Sequence, residues 1–462
     1  MISHATNLRY RLAAAVLANA VLADCAGAGS VAATPTLRDS SIAAFAGGAS
    51  PIHHVVIVVQ ENRSFDNIFA GFQGADAPTE GKLPNGKTIP LQIVGVNTLD
   101  PKHSFQQAIA DIDGGKMDGF GGGYTYYGPP AYPPIELSRL DPKIVKPYWV
   151  TAQQYTLADR MFPTEYGPSW TAHLNLIAGT TTINPSTAII NFPTAIFGEY
   201  CGVYQTTHTF TYDKSGNYGS GPYPCFTQFR TMADTLDAKG ISWRYYAPNI
   251  LDTGSCATAC GGQWSPFASI KNVREGPDWR NVISPPAQVL RDIGKGQLAG
   301  VTWIVPESPW SDHSYYAAKP EGPSWVASIV NAIGTSKFWN DTAIVVLWDE
   351  WGGYYDDAVP PHLDFRGLSV RVPCIIISPY ARHGYVSHTQ YEYGSVLKYV
   401  EQTFGLAPLG PTSDGYTDTR AKSILDSFDY TQSPAPFVKI DAPYPPSTFI
   451  NAVQTGVAPD DD

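Results

Sequence analysis

The sequence predicts an α/β protein: a three-layer α/β/α sandwich with a mostly parallel central sheet and long loop insertions. Short, continuous apolar runs are typical of strands that are buried on both faces, as in parallel sheets. Segments with apolar residues at helical spacing alternate with these runs, which is the pattern of an α/β protein. The 462 residues include 42 glycines and 39 prolines, so a large core is expected to carry much loop.

Five apolar runs are predicted to be buried parallel strands. They are His54–Gln60, 241–247, 300–306, Thr342–Trp348 and 372–378. Two helices are predicted at 324–333 and Tyr393–Phe404, and the second is expected to stop at Gly405. Two regions resemble insertions: residues 73–150 are rich in Gly, Pro and Tyr, and residues 191–270 hold four of the cysteines.

The N-terminus has the features of an export signal. Arg9 and Arg11 precede an apolar run at 12–23, which is followed by small residues and is too short to cross a membrane. Cleavage would give a secreted or periplasmic protein. Lipidation at Cys25 is the second interpretation, for which Asp24 is a poor match.

The rest of the chain is predicted to be one domain with elaborations. The expected segments are a signal peptide at 1–25, a flexible segment at 26–50, a single catalytic domain at 51–443 and a tail at 444–462. No later stretch is apolar enough for a transmembrane helix.

The net charge is −11 and there is no stripe of Lys and Arg, which argues against nucleic acid as a partner. The sequence does not predict the oligomeric state.

Export would place the cysteines in an oxidising compartment, where disulfide bonds persist. Cys201 and Cys225 bracket a loop rich in Gly and Tyr, and Cys256 and Cys260 bracket a tight one. These are the predicted pairs, although spacing alone does not fix connectivity. Cys374 lies in an apolar run and is expected to be a buried thiol.

Two predicted strands end in polar pairs, and ligands of open α/β sheets bind beyond the carboxyl ends of the strands. Glu61 and Asn62 follow the first predicted strand, and Asp349 and Glu350 follow the fourth. Adjacent carboxylates at the end of a buried strand repel each other, and a metal ion can compensate them. Carboxylate and amide oxygens suit a hard divalent cation. The alternative for each pair is a polar turn in solvent.

Ser169 is a candidate nucleophile. Residues 174–178 resemble a helix, which would place Ser169 at or near a helix N-terminus. Backbone N–H groups and the helix dipole favour a phosphate there and stabilise an alkoxide. The alternative is an ordinary N-cap serine after a Gly-Pro turn.

Three histidines are candidates for proton transfer to a leaving oxygen. His313 follows the third predicted strand, His103 lies in the segment DPKH, and His388 lies in VSHT. A lone histidine can equally be structural.

Five ordered segments resemble a family of phosphoesterases that includes bacterial phosphatidylcholine-type phospholipases C and related acid phosphatases. They are HVVIVVQENRSFD at 54–66, ADRMF at 158–162 leading to GPS at 167–169, SDH at 311–313, WDEWGGYYD at 348–356, and VSHTQY at 386–391 leading to Glu401. The resemblance runs from residue 54 to about residue 410 and implies a fold like that of the alkaline phosphatase superfamily.

The resemblance also implies residue roles. Ser169 falls at the family's nucleophile, and His103 and His313 fall where family histidines contact the transferred phosphoryl group. One divalent cation, such as Ca, Mg, Zn or Fe, would be bound by a set that includes the nucleophile. That set is Glu61, Asn62, Ser169, Asp349 and Glu350.

The remaining candidates are His173, His388 and Asp312, as substrate-binding residues. The family often has Pro-Asn-Arg after its nucleophile, where this chain has Thr-Ala-His, so His173 can replace a basic contact to phosphate or merely pack. Trp351 stands where the family often has a histidine. The first motif's other residues, 63–66, are expected to hold its turn in place.

The predicted function is a secreted, metal-dependent phosphoric ester hydrolase with a phosphoseryl intermediate. Its substrate is expected to be a small phosphate ester or a phospholipid head group, and peripheral membrane contact is compatible with it. A phospholipase C cuts a diester and an acid phosphatase cuts a monoester. The family's large phospholipases C carry extra C-terminal β-domains, so the length of this chain favours the compact phosphatase-like members. The sulfatase alternative lacks its Cys/Ser-X-Pro-X-Arg segment, and a non-catalytic binding protein on the same fold is a further alternative.

Overall fold

The structure, a computed structural model, describes residues 50–122, 125, 133–191, 201, 208–222, 224–248, 264–314 and 318–453. Within that part, all residues belong to one compact unit. The predicted signal peptide at 1–25, the alternative lipidation site Cys25 and the predicted pair of Cys256 with Cys260 lie outside the described residues.

The strands and helices are numbered here in chain order. The strands are β1 His54–Gln60, β2 Glu80–Lys82, β3 Thr88–Pro90, β4 Gln92–Val94, β5 Ser138–Leu140, β6 Thr156–Phe162, β7 Thr182–Asn184, β8 Thr187–Asn191, β9 Phe210–Asp213, β10 Tyr218–Ser220, β11 Trp243–Tyr246, β12 Val282–Ile283, β13 Val301–Ile304, β14 Thr342–Trp348, β15 Val372–Ile377, β16 Tyr385–Ser387 and β17 Tyr391–Glu392. The helices are α1 Phe65–Phe69, α2 Phe105–Ile112, α3 Pro142–Gln154, α4 Ser169–Ala178, α5 Met232–Lys239, α6 Lys271–Arg274, α7 Gln288–Gly294, α8 Gly322–Gly334, α9 Tyr393–Phe404 and α10 Pro446–Ile450.

Nine of these strands form one large sheet in the order β12-β11-β13-β1-β14-β15-β6-β16, and β17 also pairs with β6. Every strand of this sheet except β15 runs in the same direction. The predicted mostly parallel α/β sheet is therefore confirmed. All five predicted strands exist, but β15 was wrongly predicted to be parallel, because a fully apolar strand has the same composition in either direction.

β6, which lies between β15 and β16 in the sheet, was not predicted from the sequence. Asp159 and Arg160 interrupt its apolar pattern, although Asp159 is fully buried. Since β15 is antiparallel to both β14 and β6, the carboxyl end of β6 lies at the same edge as the carboxyl end of β14. This edge is where the chain continues to Ser169.

Helices cover both faces of the sheet. Gln60 and Trp348 are register partners and share a face, and both contact Tyr148 of α3. Trp303 shares a face with its partner Ile57, which is the opposite face of β1, and its Nε1 donates to the carbonyl of Leu176 in α4. The sheet is therefore the middle layer between α3 and α4, as the prediction of three layers requires.

The cysteines follow the prediction where the structure describes them. Cys201 and Cys225 form a disulfide bond, and Cys374 is a free, fully buried thiol in β15. The region after residue 443 was predicted to be a tail, and the structure describes the helix α10 within it. Its Phe449 is buried against Trp310 and Trp325.

The regions predicted as insertions contain secondary structure of their own. Residues 73–150 include two small sheets, β2 with β3 and β4 with β5. β7 to β10 form a separate antiparallel sheet in the order β10-β9-β8-β7. Among the described residues, no helix is long and apolar enough to cross a membrane.

Candidate active site

The register of β1 and β14 places two acidic residues side by side. Gln60 and Trp348 are the last partners of this parallel pair, and Asp349 N–H donates to the carbonyl of Gln60 at 2.9 Å. Glu61 and Asp349 therefore follow neighbouring strands at the same edge of the sheet. Both side chains are fully buried.

Asn62 connects this pair to the rest of the site. It has a left-handed backbone conformation with φ of 51°, which Asn tolerates better than most residues. Its N–H donates to Asp349 Oδ1 at 2.9 Å, and its side-chain Oδ1 accepts a hydrogen bond from Ser169 Oγ at 3.3 Å. Its Nδ2 lies 3.1 Å from His103 Nε2.

The turn after β14 must approach Asn62 closely. Gly352 has a φ of +64°, and a Cβ on it would clash with the carbonyl oxygen of Asn62. Gly352 N–H also donates to Oε2 of Glu350 at 2.7 Å. Only glycine fits this turn, because it combines a left-handed backbone with contact between two chain segments.

Ser169 is the first residue of α4, as its predicted position requires. The loop from β6 brings it to the carboxyl edge of the sheet, and Pro168 caps the helix without a side-chain hydrogen bond. The first N–H groups of a helix have no partner within the helix, so this end carries partial positive charge. Ser169 Oγ is fully buried and lies beside Asn62.

His173 lies one turn further along α4 and joins the acidic pair. Its Nε2–H donates to Glu61 Oε1 at 3.1 Å, and Nε2 lies 3.9 Å from Asp349 Oδ2. Burial raises the pKa of the Asp349 carboxyl well above its ordinary value, and the charge of Glu61 raises it further, whereas His173 lowers it. His173, which was predicted either to contact phosphate or to pack, therefore contacts two of the predicted metal ligands, Glu61 and Asp349.

Glu350 and His103 lie on the other side of Asn62. His103 Nε2 is 3.7 Å from Glu350 Oε1, and both side chains are fully buried. His103 Nδ1–H donates to the carbonyl of Pro101 at 2.7 Å. The ring of His313 is 5.8 Å from that of His103, in an edge-to-face arrangement.

The donor atoms of this cluster fit a divalent cation. One ligand atom from each of Glu61, His173 and Asp349 lies within 4.8 Å of the others, and all three residues are buried. Asn62 and Ser169 add an amide and a hydroxyl oxygen next to this group. Buried like charges and oxygen donors together suit a hard cation.

Asp312 lies in the loop that carries His313, and its side chain contacts α3 and the end of β1. Its Oδ2 accepts hydrogen bonds from the Tyr148 hydroxyl at 2.7 Å and from Gln60 Nε2 at 3.2 Å. Burial raises the pKa of Asp312 to about 6. Its φ is +78°, an uncommon conformation for a residue other than glycine. These contacts support the loop that carries His313.

His388 is not brought to the site by any contact that the structure describes. Its side chain is 60% exposed, and its Nδ1 forms a 2.8 Å pair with Asp159 Oδ2. Asp159 also accepts a hydrogen bond from the backbone of Asp76. The pair therefore connects the end of β16 to β6, outside the cluster around Ser169.

The residues after Asn62 brace its turn, as expected for 63–66. Arg63 Nε donates to the carbonyl of Asp312 at 2.8 Å, and Ser64 Oγ donates to the carbonyl of Tyr355 at 2.6 Å. Asp66 pairs with the buried guanidinium of Arg371 at 3.3 Å. The loops after β1, β13 and β14 are thus bound to one another.

Three residues of the site were not predicted from the sequence to belong to it. The hydroxyl of Tyr393 donates to the backbone carbonyls of Trp348 and Asp349, and burial followed by the Asp349 charge raises the pKa of Tyr393 well above its ordinary value. Asp100 lies beside His103 and His313. Trp351, noted only as a departure from the family, donates to Asp111 and lies 6.4 Å from the His103 ring. Apart from the motif positions, no pattern marks these residues.

The sequence matches the model of the phosphoesterase family over residues 52–407, and the chain belongs to that family. It is a hydrolase of phosphoric ester bonds.

The curated relatives include phospholipases C from bacteria and a plant. Phospholipase C B of Mycobacterium tuberculosis is 24% identical over 451 residues, covering 84% of this chain and 80% of that protein. The non-hemolytic phospholipase C of Pseudomonas aeruginosa is 25% identical over 443 residues, covering 82% and 58%. Non-specific phospholipase C1 of Arabidopsis thaliana is 23% identical over 408 residues, covering 77% and 67%.

Solved structures give a more distant likeness. A protein of the alkaline phosphatase superfamily from Vibrio parahaemolyticus is 12% identical and aligns over 83% of this chain and 74% of its own, with a TM-score of 0.38. The phosphonate monoester hydrolase of Agrobacterium radiobacter is 9% identical and aligns over 77% and 74%, with a TM-score of 0.33.

Proposed function

We propose that this protein is a secreted phosphodiesterase of the phospholipase C type, which depends on a divalent cation and uses Ser169 as its nucleophile. The observation that carries the proposal is the placement of Ser169 Oγ at 3.3 Å from Asn62 Oδ1, beside the buried pair of Glu61 and Asp349. The proposed catalytic domain spans residues 51–443.

The proposed cation ligands are Glu61, Asn62, Ser169, Asp349 and Glu350, with His173 close enough to Glu61 and Asp349 to join or orient them. When bound, a cation there would act as a Lewis acid and lower the pKa of the Ser169 hydroxyl. Metal analysis of the purified protein would identify the ion among Ca, Mg, Zn and Fe.

Ser169 attacks the phosphorus atom and displaces the alcohol. The Ser169 O–P bond forms while the P–O bond to the leaving group breaks, which gives a phosphoseryl intermediate that water then hydrolyses. The N-terminus of α4 stabilises the negative charge that develops on the phosphoryl oxygens. A buried site strengthens this effect, because water does not screen it.

His103 and His313 are proposed to act on the phosphoryl group and its leaving oxygen. Their rings lie edge to face at 5.8 Å, and His103 Nε2 lies 3.1 Å from Asn62, which in turn contacts Ser169. A protonated imidazole can neutralise an equatorial oxygen or give its proton to the leaving alkoxide. His388 and Asp312 are assigned supporting roles instead.

The named relatives support a diester substrate over a monoester, since each is a phospholipase C. We therefore propose a phospholipid or a similar phosphodiester with a small head group. The test compares turnover of a phosphocholine diester with that of the matching monoester, after metal removal and after add-back. The proposal expects the diester to have the higher kcat/KM, by about tenfold or more, which corresponds to about 1.4 kcal/mol. A preference for the monoester would assign an acid phosphatase.

The disulfide bond between Cys201 and Cys225 supports export, because such bonds persist in oxidising compartments. Fractionation of the producing cells tests this part of the proposal. Activity in the medium or periplasm is expected, and retention in the membrane fraction that Cys25→Ser releases would assign lipidation instead. Activity confined to the cytoplasm would contradict export.

A further inference from the structure

A buried carboxylate lies between the two histidines proposed to act on the phosphoryl group. Asp100 is 3% exposed and lies just before α2. Its Oδ1 is 4.0 Å from His103 Nδ1 and accepts a 2.8 Å hydrogen bond from the hydroxyl of Ser314. Ser314 directly follows His313, so Asp100 contacts the loops that carry both imidazoles.

Both imidazoles are held through Nδ1 by carbonyls next to Asp100. His103 Nδ1–H donates to the carbonyl of Pro101 at 2.7 Å. His313 Nδ1–H donates to the carbonyl of Ser314 at 2.6 Å. A ring that donates through Nδ1 directs Nε2 away from that partner, and Nε2 of His103 faces Asn62 at 3.1 Å.

We propose that Asp100 is a positioning residue, which fixes the orientation of His103 and His313. The inference rests on the proposed function of the two histidines. The carboxylate lies 4.0 Å from His103 Nδ1 and accepts a hydrogen bond from Ser314, whose carbonyl holds His313, so that one side chain packs against the supports of both rings. Loss of Asp100 would free the loop before α2 from the loop after β13.

The same three side chains have the spacing of a second metal site, because their ligand atoms lie within 4.8 Å of one another. The hydrogen bonds favour the positioning role. The nitrogen of His103 nearest to Asp100 is Nδ1, and it carries the hydrogen that is donated to Pro101. A metal ion would have to displace this hydrogen.

The test compares three variants with the wild-type protein: Asp100→Ala, Asp100→Asn and Ser314→Ala. Asp292→Asn is the matched control, since Asp292 accepts a hydrogen bond from Tyr246 away from the site. We expect Asp100→Ala to lower kcat about 10- to 100-fold with KM nearly unchanged. Asp100→Asn should recover part of this loss, because its amide oxygen can still accept from Ser314.

Nitrogen-15 NMR of the histidine side chains supplies a readout that does not depend on turnover. Slowly exchanging Nδ1–H signals from two histidines are expected in the wild-type protein and in the control, and these signals should be lost or shifted in Asp100→Ala. Wild-type kcat and unchanged imidazole signals in Asp100→Ala would overturn the inference. Loss of one bound metal ion per protein in that variant would also overturn it, in favour of a second metal site.

If Asp100→Ala does not fold, Ser314→Ala decides the question, because it breaks the link to His313 and leaves the carboxylate in place. A change confined to the His313 signal, with a loss of kcat of about tenfold, is expected; unchanged signals and kcat would overturn the inference. If the wild-type protein hydrolyses no phosphate ester, the proposed function fails, whereas the NMR comparison still tests whether Asp100 orients both rings.

Discussion

The backbone N–H of Asn62 donates a 2.9 Å hydrogen bond to Asp349 Oδ1, and this contact joins the turns that follow two neighbouring parallel strands. The same turn of Asn62 carries the amide oxygen that meets Ser169 Oγ. The backbone therefore fixes the distance between the proposed cation ligands and the proposed nucleophile. Changes to the turns or to these side chains should affect activity more than they affect folding.

Ser169→Ala removes the proposed nucleophile from the start of α4. We expect kcat to fall by roughly 10⁴-fold or more, since the variant retains only binding and electrostatic effects. Ser328→Ala is the matched control: Ser328 is also buried within a helix, and its Oγ donates to the carbonyl of Ser324 at 2.7 Å. The control should keep wild-type turnover of the phosphocholine diester. Near-native turnover by Ser169→Ala would assign the nucleophile elsewhere.

Asp349→Asn should weaken the binding of the cation. In the wild-type protein, a cation at a concentration of 100 times its Kd stabilises the folded state by about 2.7 kcal/mol, which raises Tm. The variant should lose most of this shift. Without cation it should be no less stable than the wild-type protein, because Asp349 and Glu61 then no longer repel each other. A full cation-dependent Tm shift in the variant would exclude Asp349 as a ligand.

Gly352→Ala tests the close approach of the turn after β14 to Asn62. Gly405 gives a matched control, because its φ of +62° is nearly the same but a Cβ there would meet no atom within 4 Å. Gly405→Ala should lower the free energy of unfolding by about 1 kcal/mol through backbone strain alone. Gly352→Ala should lower it by about 1–3 kcal/mol more through the clash. Only Gly352→Ala should also reduce kcat, and equal effects of the two variants would contradict the close packing.

Asp364→Asn tests the pH dependence of an ion-pair network. Burial alone would raise the pKa of Asp364, but the guanidinium groups of Arg366 and Arg420 lower it to about 2. A lowered carboxyl pKa stabilises the folded state above the unfolded pKa of about 4, and this stabilisation is lost as the pH falls through 4 toward 2.

We therefore expect Asp364→Asn to lower the free energy of unfolding by about 2 kcal/mol at pH 7. The difference from the wild-type protein should shrink between pH 4 and pH 2. Asp429→Asn is the control, because the carboxyl pKa of Asp429 is also lowered, but chiefly by hydrogen bonds from Thr431 and less by the charge of Arg382. Denaturation by urea across this pH range measures the free energy of unfolding of each variant and of the wild-type protein. A difference between Asp364→Asn and the wild-type protein that grew as the pH fell would contradict a lowered pKa for Asp364.

Much of the sheet could be predicted from the sequence, because parallel strands buried on both faces are continuous apolar runs. Such runs located β1, β11, β13, β14 and β15 but did not give their direction, which depends on the long connection before β15. β6 could not be found in the same way. Its Asp159 and Arg160 break the apolar pattern, and the buried Asp159 is explained only by tertiary partners, His388 and the backbone of Asp76.

The sequence also located the acidic pairs and Ser169, since strand ends and helix starts are local features. It could not place His388 and Asp312, which lie within two of the motifs but contact Asp159 and Tyr148. Asp100 and Tyr393 were not predicted from the sequence. Their contacts join distant segments of the chain, so that no local pattern marks them.

The most direct test of the account is to trap the covalent intermediate on Ser169. The protein would be mixed with a phosphodiester labelled in its phosphoryl group, quenched in acid within one turnover, digested and analysed by mass spectrometry. We predict that the label is on the peptide that contains Ser169 and is absent from Ser169→Ala. Label on another residue, or rapid turnover without any labelled peptide, would contradict a phosphoseryl mechanism at this site.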